Sequence, residues 1–271
     1  MKKILVPTDF SENAYNALNF AIAFANEFGS EIFLIHTFKL YSSTGMFISV
    51  ESYMEDDARK DLAEMIRETK PKLKNGATVK HKLYRGDAAP VIASVADKEG
   101  FNLIIMGTQG ASGLKEIFTG STTNGVIKAS RTPLLMIPEG CPYQPLKTAV
   151  FAIDQDEISG TEVVEPLLKI ARIFDTRINV FHQDTGGRDS GIKARIRQFL
   201  DPVEASYHFS LDEQHITDSI DEFVEEKQAD LLCMIRRKRS FLESIFHQSV
   251  TTEEAFHSKI PLLVLHDEAE S

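Results

Sequence analysis

The chain opens on a short apolar run, Lys3–Val6, and then changes period. From Ser11 to Phe28 the apolar residues Ala14, Leu18, Ala21, Ile22 and Ala25 recur at helical spacing, with Ser11 placed to cap the start and Gly29 just past the end. The pattern then predicts a strand over Glu31–Thr37, a mostly polar helix over Met54–Leu73 and an alternating strand over Ala77–Tyr84. A helix over Ala88–Gly100, a continuous apolar run at Leu103–Met106, a short helix over Thr122–Ser130 and a strand at Leu134–Ile137 follow. An unbroken apolar strand is one covered on both faces, and alternating βα units pack as a parallel sheet between two helical layers.

The second half repeats this plan. Leu114-Lys-Glu-Ile-Phe and Leu242-Glu-Ser-Ile-Phe stand at an offset of 128, as do Pro133-Leu-Leu-Met-Ile and Pro261-Leu-Leu-Val-Leu, and Asn102-Leu-Ile-Ile-Met and Asp230-Leu-Leu-Cys-Met. Upstream the offset widens: His36 falls opposite His182 at 146, and Asp9 opposite Asp154 at 145. An offset that holds within elements and shifts only between them indicates a duplicated domain with loop deletions. The join is Pro138-Glu-Gly-Cys-Pro-Tyr-Gln-Pro145, so the expected domains are residues 1–140 and 146–271.

Composition narrows the partners. The 271 residues are 42% hydrophobic and 26% charged, the balance of a globular protein with a substantial core. Asp and Glu outnumber Lys and Arg by 40 to 30, and the net charge of −10 argues against nucleic acid, which needs a basic footprint. Cys141 and Cys233 lie far apart without metal-type spacing, which fits a reducing compartment. The first apolar run is too short for a signal sequence or a membrane span, so the expected location is the cytoplasm, away from membranes.

The chemistry gathers after the strand ending at Met106. Gly107, Gly110, Gly120 and Ser121 have the spacing G-x2-G-x9-G-S, and Ser121-Thr122-Thr123 opens the next helix. Glycines let backbone approach a ligand, and a helix N-terminus presents N–H groups and a positive dipole end to phosphate. Any one of these glycines could serve only a turn, and a Ser-Thr run often only caps a helix; the whole spacing between strand and helix points to phosphate. Pro7-Thr8-Asp9-Phe10-Ser11 follows the first strand. If the strands run in the order 3-2-1-4-5, the Asp9 and Gly107 loops face each other across the reversal of strand order. Asp9 there could hold a ribose hydroxyl, an adenine amine or Mg²⁺, and it also suits the N-terminus of the first helix.

Ile4-Leu-Val-Pro-Thr-Asp-Phe-Ser11, Gly86-Asp-Ala-Ala-Pro90 and the glycine loop together resemble the universal stress proteins of the tandem, two-domain type, over nearly the whole chain. The resemblance implies two tandem open parallel five-stranded sheets of order 3-2-1-4-5 with helices on both faces. Family members with the loop typically bind ATP. It implies Pro7, Thr8 and Asp9 near the adenosine, the Thr37 backbone on the adenine, and Met106 and Gly107 beside the ribose. Gly110, Gly120, Ser121, Thr122 and Thr123 would hold the phosphates. It also implies a homodimer, or a pseudo-dimer of the two halves through their last strands, Leu134–Ile137 and Leu262–Leu265.

The second half departs from this pattern. Ile235, Lys238 and Gln248 stand opposite Gly107, Gly110 and Gly120, and Ala152 opposite Pro7, while Asp154 and Ser249 remain. No ATP is expected there. Arg236-Arg-Lys-Arg239 occupies the loop and reads as a solvated basic run that could attract an anion. His36 and His182 read as hydrogen-bonded strand ends, and His208 and His215 lack the spacing of a zinc site. Lys115 lies within the loop, Gly186-Gly187 reads as a connection, and the basic helix Ile192–Leu200 as a solvated face. The leading function is therefore a nucleotide-dependent stress-response regulator. The rivals are a slow ATPase or autophosphorylating enzyme, disfavoured because no G-x4-G-K-[ST] loop or paired nucleophile and base is present, and a nucleotide-free scaffold.

Overall fold

The computed structural model describes residues 1–38, 48–108, 120–154, 158–183, 192–201, 203–210, 216–237 and 259–267. Its chain divides into two compact units, the first ending at Gly140 and the second continuing from Cys141.

In the first unit the elements are β1 (Lys3–Pro7), α1 (Glu12–Phe28), β2 (Glu31–Phe38), α2 (Ile48–Thr69), β3 (Thr78–Arg85), α3 (Ala88–Lys98), β4 (Leu103–Gly107), α4 (Ser121–Ala129) and β5 (Leu134–Ile137). The strands are parallel in the order β3-β2-β1-β4-β5. Ser11 caps α1, its side chain accepting from the Ala14 N–H, and Gly29 ends it in the left-handed region at φ 62°. The polar helix begins earlier than its pattern predicts and stops at Thr69. Pro71 lacks an N–H, and the chain tightens there into a 3₁₀ turn over Lys70–Lys72.

The second unit runs β6 (Thr148–Ile153), α5 (Thr161–Phe174), β7 (Arg177–Gln183), α6 (Ile192–Leu200), β8 (Ala205–Ser210), α7 (Ile216–Glu226), β9 (Leu231–Arg236) and β10 (Leu262–His266). Its strands are also parallel, in the order β8-β7-β6-β9-β10. Each unit is thus an α/β layer built on the same strand order. The inner strands of each sheet are apolar: Ile4, Leu5, Leu34, Leu103 and Ile104 are fully buried in the first, Val150, Phe151, Leu232 and Val264 in the second. Two helical layers remove such strands from water on both faces, which is why they lack alternation.

Phe20 and Phe24 on α1 are the largest fully buried side chains of the first unit. Phe20→Ala is expected to lower the stability of the first unit by about 3–5 kcal/mol in urea unfolding. Ile173→Ser, at the exposed hydrophobe of α5, should change stability by no more than about 0.5 kcal/mol.

Candidate functional site

A crevice opens in the first unit where two neighbouring strands part. β1 and β4 lie side by side, with Ile4 opposite Leu103 and Leu5 opposite Ile104. The chain leaving β1 returns beside it as β2, and the chain leaving β4 returns on the other side as β5. The two connections therefore diverge, and a cavity of about 310 Å³ lies between them at the C-terminal ends of the strands. That volume is at the lower end of the range for small-molecule sites.

The wall on the β1 side is tightly specified. The Thr8 N–H donates to the Ile35 carbonyl at 2.8 Å, the last bond between β1 and β2. The backbone then turns away through Phe10, whose φ of 64° is rare for a residue with a side chain. The Phe10 N–H donates to Thr8 Oγ1 at 3.0 Å, and its ring stacks on His36 with centroids 4.6 Å apart. His36 Nδ1 lies 2.8 Å from the Thr8 carbonyl. A carbonyl only accepts, so Nδ1 carries the proton in this contact. Ser11 donates its N–H and hydroxyl to Asp9 Oδ1 at 3.1 and 2.6 Å while capping α1. Asp9 is thereby oriented by the helix start, as its sequence position allowed, and stays exposed at the cavity.

β2 contributes a backbone edge. The Glu31 N–H donates to Lys2, and Ile35 accepts from Thr8, so the odd-numbered residues of β2 turn their polar groups toward β1. Ser30 and Phe38 accept from Thr78 and Gly86, so the even-numbered ones turn toward β3. Thr37 follows the first rule, and β1 has already left the sheet beside it. Its N–H and C=O therefore face the crevice as a donor–acceptor pair.

Opposite, Gly107 ends β4. A Cβ there would come within 2.5 Å of Asn13 Nδ2 and 3.3 Å of the Asn13 carbonyl oxygen. A side chain here would press on Asn13, so the glycine suits the packing of α1 on β4, a reason distinct from ligand approach. Thr108 continues the ladder to Ile137, its N–H donating at 3.0 Å. The Gly120 N–H donates to the Thr108 carbonyl at 2.5 Å, tying the start of α4 to the end of β4. Gly120 is the N-cap residue, with φ −56°, a value open to any residue, and no side chain caps the helix. The Ser121, Thr122 and Thr123 N–H groups are those that helix geometry leaves without an intrahelical acceptor, and all three residues line the cavity.

The residues singled out in the sequence therefore meet in one place: Pro7, Thr8, Asp9, Thr37, Met106, Gly107, Gly120, Ser121, Thr122 and Thr123 all line this cavity. Gly110, with Lys115, lies outside the described residues. Two details correct the expectation. The Ser-Thr run does not cap α4, because the helix starts one residue earlier than predicted. And the Thr123 hydroxyl donates to the Gly107 carbonyl at 3.0 Å, so its hydrogen is committed to holding α4 against β4. Sequence reasoning missed the apolar wall of Ala14, Ile35, Ala88 and Ile92. Ala88 sits in the Gly86–Pro90 segment, which had been a family signal and is here the start of α3. The cavity thus combines apolar walls, a strand edge with donor and acceptor, a carboxylate and a helix N-terminus. It suits a flat polar heterocycle joined to an anionic group.

The corresponding region of the second unit differs. His182 Nδ1 lies 3.2 Å from the Ile153 carbonyl, repeating the His36 contact. Ile235, in the place of Gly107, is buried. The basic run is not a solvated loop where it is described: Arg237 is buried and paired with Asp154 and Asp267, because a guanidinium beside two carboxylates is held inside. His208 lies 3.0 Å from Ser206 Oγ and packs on Phe223. Burial, then the nearby Lys227 charge, lower its pKa from the ordinary histidine value. His215 and Gly186-Gly187 lie outside the described residues, and among those described no group of three or more His, Cys, Asp or Glu could hold a metal.

The Asn13 contact makes a stability test that needs no ligand. Gly107→Ala is expected to destabilise the first unit by about 1–3 kcal/mol. Adding Asn13→Ala should recover part of that loss, giving a coupling of at least about 0.5 kcal/mol in a double-mutant cycle read by urea unfolding.

Comparison with known proteins agrees with this architecture. A model of the universal stress protein family matches residues 1–138 and 188–266. A universal stress protein of Methanocaldococcus jannaschii is 36% identical over 156 residues, covering 50% of this chain and 94% of its own length. One from Bacillus subtilis is 28% identical over 144 residues, 50% of this chain and 97% of its own. The crystal structure of a universal stress protein from Archaeoglobus fulgidus superposes with a TM-score of 0.75 at 21% identity, covering 97% of each chain, and so shares the fold from end to end. With the parallel order β3-β2-β1-β4-β5, its repetition in the second unit and the family match over both, the chain belongs to the universal stress protein family.

Proposed function

We propose that the first unit binds ATP and that the protein works as a nucleotide-dependent stress-response regulator. The observation that carries this reading is the convergence on one cavity of the β1 loop, the Thr37 strand edge, the end of β4 and the start of α4. On this reading the Thr37 N–H and C=O read the adenine edge, between the apolar surfaces of Ile35, Ile92 and Met106. Pro7 and Thr8 border the adenosine, and Asp9 takes a ribose hydroxyl. Gly107 borders the ribose, and the phosphates lie at Gly120, Ser121, Thr122 and Thr123, with Gly110 completing the loop.

The chemistry of the donors fits the ligand. A helix N-terminus favours negative charge through its N–H groups and dipole. Mg²⁺ would enter with the phosphates, since this ion keeps several waters and is usually held by a carboxylate or two together with substrate oxygens. Binding can regulate only if the nucleotide favours one conformation of the protein over another. The described residues that line the cavity all belong to the first unit. Among the described residues no helix is long and apolar enough to cross a membrane. A cytoplasmic location would place the site in the cell's ATP pool.

The test is to denature freshly purified protein and identify the released nucleotide by mass spectrometry, with its ratio to chain. About one adenine nucleotide per chain is expected, and Gly120→Gln should lose it. Asp9→Ala should weaken binding about tenfold or more, the loss of one charge-assisted hydrogen bond. No nucleotide released, and none bound on addition with Mg²⁺, would overturn the reading. Steady release of phosphate by the bound protein, abolished in Asp9→Ala, would instead make it an enzyme.

A further inference from the structure

In the second unit, the strand ends equivalent to those around the first unit's cavity hold a charged side chain of the protein itself. Arg237 follows β9. Its Nε donates to Asp267 Oδ2 at 3.0 Å and its Nη1 to Asp154 Oδ1 at 2.5 Å. Asp154 follows β6 and Asp267 follows β10, so one guanidinium joins the ends of three strands. Asp267 also accepts from Ser159, at 3.0 Å from its N–H and 2.5 Å from its hydroxyl, which ties the triad to the start of α5. The side chains are 9%, 16% and 0% exposed for Arg237, Asp154 and Asp267, so water contributes little to balancing their charges.

The first unit has the same acidic positions in another state. Asp9, at an offset of 145 from Asp154, is exposed beside the open cavity. Glu139, at an offset of 128 from Asp267, is exposed as well. Two exposed carboxylates cost nothing to solvate. Two buried ones repel each other and lose their hydration, and only a cation between them makes the arrangement stable. Arginine meets that need because its planar fork carries five donors and can serve both carboxylates at once.

We propose that Asp154 and Asp267 form a guanidinium-binding site that the chain fills with its own Arg237, a tethered ligand that joins the ends of β6, β9 and β10. The aspartate has been retained between the halves with its role changed, from lining an open cavity to pairing an internal cation. Nothing in this inference depends on what the first unit binds.

The experiment is chemical rescue in the full chain. Arg237→Ala removes the cation that bridges the Asp154 and Asp267 carboxylates and should lower the melting temperature of the second unit by about 10 °C. Guanidinium chloride at about 10–50 mM should then raise that temperature saturably, by mass action on the folded form. Sodium chloride and urea at the same concentrations should not, and the wild type should gain nothing from guanidinium. A melting temperature within about 2 °C of wild type, or a loss that guanidinium restores no better than sodium chloride, would overturn the proposal. If Arg237→Ala does not fold, Arg237→Met combined with Asp154→Asn and Asp267→Asn decides. Removing all three charges should restore folding if stranded carboxylates are the cause. Failure of the neutral triple variant to fold would overturn the account.

Discussion

The site depends on a single parting of the backbone. After the Thr8 N–H donates to Ile35, β1 leaves the sheet while β2 continues for three more residues. That mismatch in length exposes the Thr37 edge and leaves room for a ligand between sheet and loop. A left-handed residue at Phe10 makes the turn. Its cost, of order 1 kcal/mol, is offset locally by the Phe10 N–H bond to Thr8 and the stack on His36. Ser11 and Asp9 then couple the turn to the start of α1, so the carboxylate at the cavity is positioned by a helix cap.

The opposite wall uses the same economy of parts. Gly107 lets α1 approach β4 through Asn13, the Thr123 hydroxyl fastens α4 to the Gly107 carbonyl, and the Gly120 N–H fastens it to Thr108. Several groups that sequence spacing assigns to a ligand thus carry structural bonds as well. A site built this way is held in place before any ligand arrives, which lowers the ordering cost of binding.

The two units show how one architecture accommodates different occupants. His36 and His182 hold equivalent carbonyls, Thr8 and Ile153, so the strand-end hydrogen bond survives duplication. The crevice chemistry does not. Ile235 fills the position of Gly107 with a buried side chain, and Arg237 draws Asp154 and Asp267 into an internal ion-pair cluster. The strand order and its reversal are the same in both, because they follow from βα connectivity and apolar burial, which side-chain changes at the loops leave untouched.

Much of this was legible in the chain alone. Period changes located the strands and helices, since burial on one or two faces imposes spacing directly on the residues. The offset repeats located the duplication, and the grouping of Gly107, Gly120 and Ser121–Thr123 with Pro7–Asp9 anticipated which loops meet, because strand order in such sheets is narrowly constrained. Three things were not legible. The packing reason for Gly107 needs Asn13, which is 94 residues away and close only in the fold. The commitment of the Thr123 hydroxyl depends on a rotamer set by β4. And Arg237 reads as one of four solvated basic residues until Asp154 and Asp267, each from a different strand end, are brought beside it. Sequence determined which elements form and how they repeat, because local periodicity and burial are recorded residue by residue. Tertiary structure alone decided which polar groups face a ligand and which face each other, because that depends on distances between segments remote in the chain.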